Sequence, residues 1–130
     1  NILLLNESEA YMLTDCDTLS DSASSILDMG LDYVVIKKGS SGLELFSPKN
    51  HISIEAYPVK EVVDPTGAGD TFGGGFISAL ASGKSKTDSL IYGSSLASIC
   101  VEGFGPEAIL NASEEDINHR INYLKSKLNS

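Results

Sequence analysis

Two short, continuously apolar runs do most to constrain this chain: Ile2-Leu3-Leu4-Leu5 and Tyr33-Val34-Val35-Ile36. A run without polar alternation fits a strand buried on both faces, as in a parallel sheet. Residues 6–32 lie between them, enough chain for the crossover that parallel pairing requires. That stretch reads as helical. Ser8 is expected to cap a short helix over Glu9–Leu13. A second helix is expected over Leu19–Met29, with Ala23, Ile26 and Leu27 facing inward and Gly30 ending it. The first run starts almost at residue 1, although a central strand needs neighbours on both sides. Upstream sequence is therefore expected to be missing.

The rhythm then changes. Gly39-Ser40-Ser41-Gly42 is a turn, Leu43-Glu44-Leu45-Phe46 alternates as a strand, Ser47-Pro48-Lys49-Asn50 turns again, and His51–Tyr57 alternates with Ile52, Ile54 and Ala56 on one side. This predicts an antiparallel excursion at the sheet edge. A helix over Asp70–Ser82 follows, with Phe72, Phe76 and Leu80 on one stripe and Ile77 beside them. Gly73-Gly74-Gly75 lies inside it. Each interior glycine costs about 1 kcal/mol against alanine, so close approach of another backbone or of a ligand should compensate. A further helix, about residues 88–101, has an unusually small surface (Gly93, Ser94, Ser95, Ala97, Ser98), and Gly103-Phe104-Gly105-Pro106 breaks it. The last helix opens with a capping-box-like pair, Ser113 and Asp116. Ile117, Ile121, Leu124 and Leu128 then recur at spacings of 4, 3 and 4.

Composition excludes several classes. The chain has 130 residues, 42% of them hydrophobic, the scale of one globular domain. With 18 acidic and 9 basic residues its net charge is −9, which argues against a nucleic-acid partner. No apolar run could span a bilayer. No secretory signal opens the chain, and the two cysteines, Cys16 and Cys100, form no CxxC pattern. A cytoplasmic, reducing setting is expected, with neither disulfide nor zinc. His51, His119 and the acidic cluster at 114–116 read as structural.

The chemistry lies in Asp64-Pro65-Thr66-Gly67-Ala68-Gly69-Asp70. Small residues at a helix start let an anion approach unpaired N–H groups at the positive dipole end. An acidic chain can hold a phosphate in this way. Asp70, in the first turn, is open to two readings: a capping group, or a general base taking a proton from a hydroxyl that attacks a phosphoryl group. A P-loop string is absent. The dinucleotide fingerprint would need glycine at position 72, where Phe72 stands.

The segment DPTGAGDTFGGGFI, residues 64–77, resembles the C-terminal signature of the ribokinase-like (pfkB) carbohydrate kinases. Asn6-Glu7-Ser8-Glu9 resembles that family's NxxE motif. Lys37-Lys38-Gly39-Ser40-Ser41-Gly42 resembles its nucleotide-binding strand end, and the small-residue helix with the Gly103 turn resembles the elements that cover adenine. The whole chain can be laid on the C-terminal part of such a kinase, the N-terminal substrate and lid portion being absent. The fold implied is a three-layer α/β/α arrangement with a largely parallel sheet and an antiparallel edge excursion.

By this resemblance the complete protein would phosphorylate a sugar or a nucleoside from ATP with Mg²⁺. This portion alone would be inactive, able at most to bind nucleotide, and open to dimerising through its exposed sheet edge. Asp70 would be the base, and Gly67, Ala68 and Gly69 an anion hole. Asn6 and Glu9 would organise Mg²⁺ through water, although Asn6 and Ser8 could equally be helix caps. Gly39 and Gly42 would let the chain pass close to the nucleotide. Lys37 stands where many members have threonine; Lys37 or Lys38 would meet a phosphate or remain solvated. Asp64, the Thr66 carbonyl and Gly103 resemble parts of a monovalent-cation site, for K⁺, found in some members. Asp64 could also be a turn former before Pro65. Some members carry asparagine where this chain has Tyr92.

Overall fold

A computed structural model describes residues 1–103 and 106–128, without the side chain of Pro106. Within them the chain forms two compact units, Asn1–Ser53 and Ile54–Ser130.

The first unit contains the crossover. Strand β1 (Ile2–Asn6) is followed by α1 (Glu7–Thr14), α2 (Leu19–Leu27) and β2 (Tyr33–Lys37). β1 and β2 pair in parallel, in register from Ile2↔Tyr33 to Asn6↔Lys37. The two apolar runs are therefore adjacent strands, and Val34, Val35 and Ile36 are all fully buried. After a single 3₁₀ turn (Gly39–Ser41) the chain reverses into β3 (Leu43–Phe46), antiparallel to β2. β4 (His51–Ile54) completes a mixed sheet of order β1-β2-β3-β4. It stops short of the expected Tyr57. Leu5, Ala10, Ala23, Ile26, Val34, Ile36 and Phe46 form one core, onto which Leu3, Leu19, Leu27 and Leu31 pack. Burying such side chains contributes about 1.5–3 kcal/mol each for the larger ones.

Helix α1 begins two residues earlier than expected, because Asn6 rather than Ser8 is its cap. Thr18 caps α2 through the amide of Asp21 at 3.1 Å. Ser22 of α2 links the helices, its Oγ donating to the Ala10 carbonyl of α1 at 2.9 Å and lying 2.7 Å from Thr14 Oγ1.

The second unit is helical: α3 (Ala68–Ala81), α4 (Lys86–Glu102), α5 (Pro106–Leu110) and α6 (Glu114–Leu128). The sequence pattern gave no sign of α5. The helix break expected over residues 103–106 falls partly on Phe104 and Gly105, which lie outside the described residues. On α3, Phe72 and Phe76 are buried as expected, but Ile77 is 51% exposed. The interior glycines divide by role. A Cβ on Gly75 would stand 3.2 Å from the Cα of Gly93, so α3 and α4 meet nearly backbone to backbone there. Gly74 faces open space. The expected compensation by a neighbouring backbone is thus found at Gly75.

The last helix is capped by Ser113, whose Oγ accepts the Asp116 amide at 3.0 Å. Asp116 does not return the bond as in a full box. Its Oδ1 instead accepts from Arg120 Nε at 3.1 Å. Leu124 is buried, while Leu128 at the end of the stripe is exposed.

Candidate functional site

The residues singled out above fall into two groups, one in each unit. In the first unit they gather at the C-terminal ends of the parallel strands, where open α/β sheets place their ligand sites. Asn6 ends β1 beside Lys37, the end of β2. Asn6 Oδ1 accepts the Glu9 amide at 2.8 Å, and Glu9 Oε1 accepts the Asn6 amide at 2.9 Å. This reciprocal box satisfies two otherwise orphaned donors. Both residues are exposed, and the second carboxylate oxygen of Glu9 has no part in the box.

After Lys37 the backbone tightens. Lys38 donates its amide to the Gly42 carbonyl at 2.7 Å, and Gly42 donates to Gly39 at 3.1 Å. Gly39 and Gly42 have φ of 58° and 94°, a region that side chains disfavour. The Lys38 side chain is turned away to Glu44, with Nζ 3.1 Å from Oε2. Glu44 also meets His51 Nε2 at 2.6 Å, and the His51 ring stacks on Phe46 at 4.4 Å. Burial pushes the Glu44 carboxyl up, but hydrogen bonds from Lys38 and His51 outweigh it and hold the group below its ordinary value. Lys38 is therefore committed to an ion pair. Lys37, half-buried at the strand end, is the lysine of the two placed beside Asn6.

In the second unit Asp64 Oδ1 accepts the Thr66 amide at 2.9 Å. That backbone N–H, and then the Thr66 hydroxyl, hold the Asp64 carboxyl below its ordinary value. Asp64 is thus the turn former that one reading expected. The turn is tethered to the end of α4: the Val101 carbonyl accepts the amides of Val63 at 2.7 Å and Asp64 at 3.2 Å. The Cys100 thiol donates to the Thr66 carbonyl at 3.7 Å, so Cys100 is both core and tether. Gly103 caps α4 two residues past Val101. A Cβ there would stand 2.5 Å from that of Ala108. Asp64, Thr66 and Gly103 are accordingly brought to one end of α4. Among the described residues, no three His, Cys, Asp or Glu side chains cluster as a metal site.

The start of α3 differs from those of α1, α2, α4 and α6. Asn6, Thr18, Ser85 and Ser113 each bond an amide in the first turn of their helices. α3 is capped by Gly67, at φ 82°, with no side-chain hydrogen bond. Asp70 is therefore not the cap. Thr71 donates to the Gly67 carbonyl at 2.9 Å and Ala68 to Pro65 at a long 3.3 Å. The amides of Gly69 and Asp70, in the first turn, have no intrahelical acceptor. Both residues are exposed. The arrangement is a helix N-terminus with free donors and a carboxylate standing beside them.

The tether at Val101 and the buried Arg120 near it went unseen in the sequence. Arg120 carries no motif and lies on a helix face where the apolar stripe gave no reason to expect a cation. Burial pulls its charge down, but Asp116 and Glu102 outweigh that and raise it above its ordinary value.

The family model described as pfkB family carbohydrate kinase matches residues 1–113. A ribokinase of Arabidopsis thaliana is 36% identical over 108 residues, covering 78% of this chain and 28% of that protein. A cytidine kinase of Thermococcus kodakarensis is 36% identical over 85 residues, covering 64% of this chain and 30% of that one. An Escherichia coli relative solved in complex with ATP and Mg²⁺ superposes with a TM-score of 0.82 at 31% identity, covering 94% of this chain and 39% of that one. The chain thus spans less than half the length of these relatives. With the family model covering residues 1–113 and this superposition of the fold, the chain belongs to the pfkB family of carbohydrate kinases and has the ribokinase fold.

Proposed function

We propose that the complete protein transfers the γ-phosphoryl group of ATP to a hydroxyl of a sugar or a nucleoside. One observation carries the reading: a glycine-capped helix start with free first-turn amides and the exposed Asp70 beside them. Asp70 takes the hydroxyl proton as the acceptor oxygen attacks the γ-phosphorus. A new P–O bond forms while the bond to the bridging oxygen breaks and ADP leaves. The segment Gly67–Ala68–Gly69 presents backbone N–H groups to the transferring phosphoryl. The Gly69 and Asp70 amides are the readiest donors, since Ala68 already has an acceptor.

Lys37, Gly39 and Gly42 flank the nucleotide at the strand end. Asn6 and Glu9 fit Mg²⁺ held through water, since both offer hard oxygen donors and Glu9 keeps one carboxylate oxygen outside the capping box. When bound, Mg²⁺ neutralises charge on the phosphates. Asp64 with the carbonyls of Thr66 and Gly103 is the proposed place for K⁺, and a potassium titration without effect on activity would remove that role. The setting is cytoplasmic.

The test of the base is Asp70→Asn in the complete protein. Turnover is expected to vanish while nucleotide binding is largely kept; near-normal turnover overturns the assignment. A second reading concerns the 130 residues alone, which match only 28% of the Arabidopsis ribokinase. On that reading they bind nucleotide without catalysis and pair through an exposed sheet edge. Assays with sugar and nucleoside panels, on this chain and on the complete protein, separate the two. Turnover by this chain alone refutes the second.

A further inference from the structure

The last turn of α4 holds a conflict of charge. A helix C-terminus is the negative end of its dipole and favours cations. α4 has no basic residue in that turn and ends on Glu102. The cation is supplied by α6. Arg120, 8% exposed, donates from Nη1 to Glu102 Oε1 at 2.7 Å and to Ser98 Oγ at 2.9 Å, and from Nε to Asp116 Oδ1 at 3.1 Å. Its guanidinium lies 4.7 Å over the Tyr57 ring. Ser98 Oγ donates onward to the Ser95 carbonyl at 2.6 Å. One side chain thus ties together the first and last residues of the turn 98–102.

Between those residues sits Val101, whose carbonyl holds the Val63 and Asp64 amides. That carbonyl is one of the four at a helix end with no intrahelical partner. Its position depends on whether the last turn stays wound. We propose that Arg120 is a positioning residue: it neutralises and clamps the end of α4, and so fixes the Val101 carbonyl from which the Asp64–Asp70 segment is hung. The effect on catalysis rests on the phosphoryl-transfer reading above; the effect on the segment does not.

Without Arg120, Glu102 is left uncompensated at the negative end of its own helix. The turn frays and the amides of Val63 and Asp64 lose their acceptor. The anion hole and the base lie three to six residues beyond Asp64, and misplacement of a reacting group by about 1 Å can cost on the order of a hundredfold in rate.

The experiment compares Arg120→Met, Arg120→Lys and the double variant Arg120→Met/Glu102→Gln in the complete protein. Amide hydrogen exchange is read at Val63 and Asp64, with β2 as reference, beside kcat and the ATP KM. For Arg120→Met, exchange at Val63 and Asp64 should rise about tenfold with β2 unchanged. kcat should fall about tenfold or more with ATP KM within about twofold, because the nucleotide-flanking residues are untouched. The double variant should recover part of both losses, since it removes the uncompensated charge. Arg120→Lys keeps the charge but not the fork, so it should lie between, and it carries the test should the methionine variant not fold. Parent-like exchange at Val63 and Asp64 in the variants overturns the proposal. So does an equal rise in β2, which would mark a general loss of stability, or a raised exchange with unchanged kcat. Should the parent protein lack kinase activity, the exchange measurement still decides the clamp, and only the phosphoryl-transfer reading falls.

Discussion

Gly93 of α4 lies directly against the backbone of Phe72 in α3: a Cβ at position 93 would stand 2.7 Å from the Phe72 carbonyl oxygen and 3.1 Å from its ring. No side-chain rotation relieves a contact with a backbone oxygen. Gly93→Ala should therefore force the helices apart, with an overpacking loss of about 1–3 kcal/mol that exceeds the gain in helix propensity of about 1 kcal/mol. Gly74→Ala, in open space on the exposed side of α3, should be neutral or stabilising. Urea unfolding of the two variants checks the contrast. Equal effects would remove the close approach as the reason for glycine at position 93.

Asn6→Ala removes the cap of α1 and one arm of its box, and should cost about 1 kcal/mol. Asn6→Asp keeps an acceptor for the Glu9 amide and should cost much less. Chemical denaturation measures both. A capping role predicts this ranking whether or not nucleotide is present, whereas a role confined to Mg²⁺ predicts no loss without nucleotide.

Glu44 couples stability to pH. Burial raises its pKa, but bonds from Lys38 and His51 lower it further, so the folded value lies below the unfolded one. The contribution is then fully present above the ordinary glutamate value of 4.5 and is lost as pH falls through the lower folded value. Denaturation midpoints of the parent should drop more steeply below that value than those of Glu44→Gln. Parallel curves would show that the cluster adds nothing pH-dependent.

Much of this was legible from local pattern. β2 and β3 were readable because burial on both faces and strict alternation leave distinct marks in sequence. The antiparallel excursion followed from two turn clusters that bracket an alternating strand. The start of α1 was misplaced because Ser8 and Asn6 are both good caps, and only the arm returned by Glu9 decides between them. Ile77 was expected inward because an apolar residue beside a stripe widens it on paper; the close approach at Gly75 instead sets the buried face of α3. Arg120 could not have been found from periodicity. Its burial depends on Glu102 and Ser98, which are distant in sequence and meet it only after α4 and α6 pack. The segment 64–70 was legible as a glycine-rich helix start. Its attachment to Val101 was not, since a backbone carbonyl leaves no residue-type signal.

The pairing of Asn6 with Lys37 also sets which changes of length the first unit can absorb. Side chains alternate faces along a strand, so removing one residue inside 33–37 would turn every later side chain of β2 to the opposite face and part Asn6 from its neighbour. The connections at 15–18 and 28–32 lie outside both strands and both helices, and a residue gained or lost there leaves the alternation untouched. The strand pair therefore acts as a ruler. It transmits an error in spacing at full strength, while the links on either side of α2 transmit almost none.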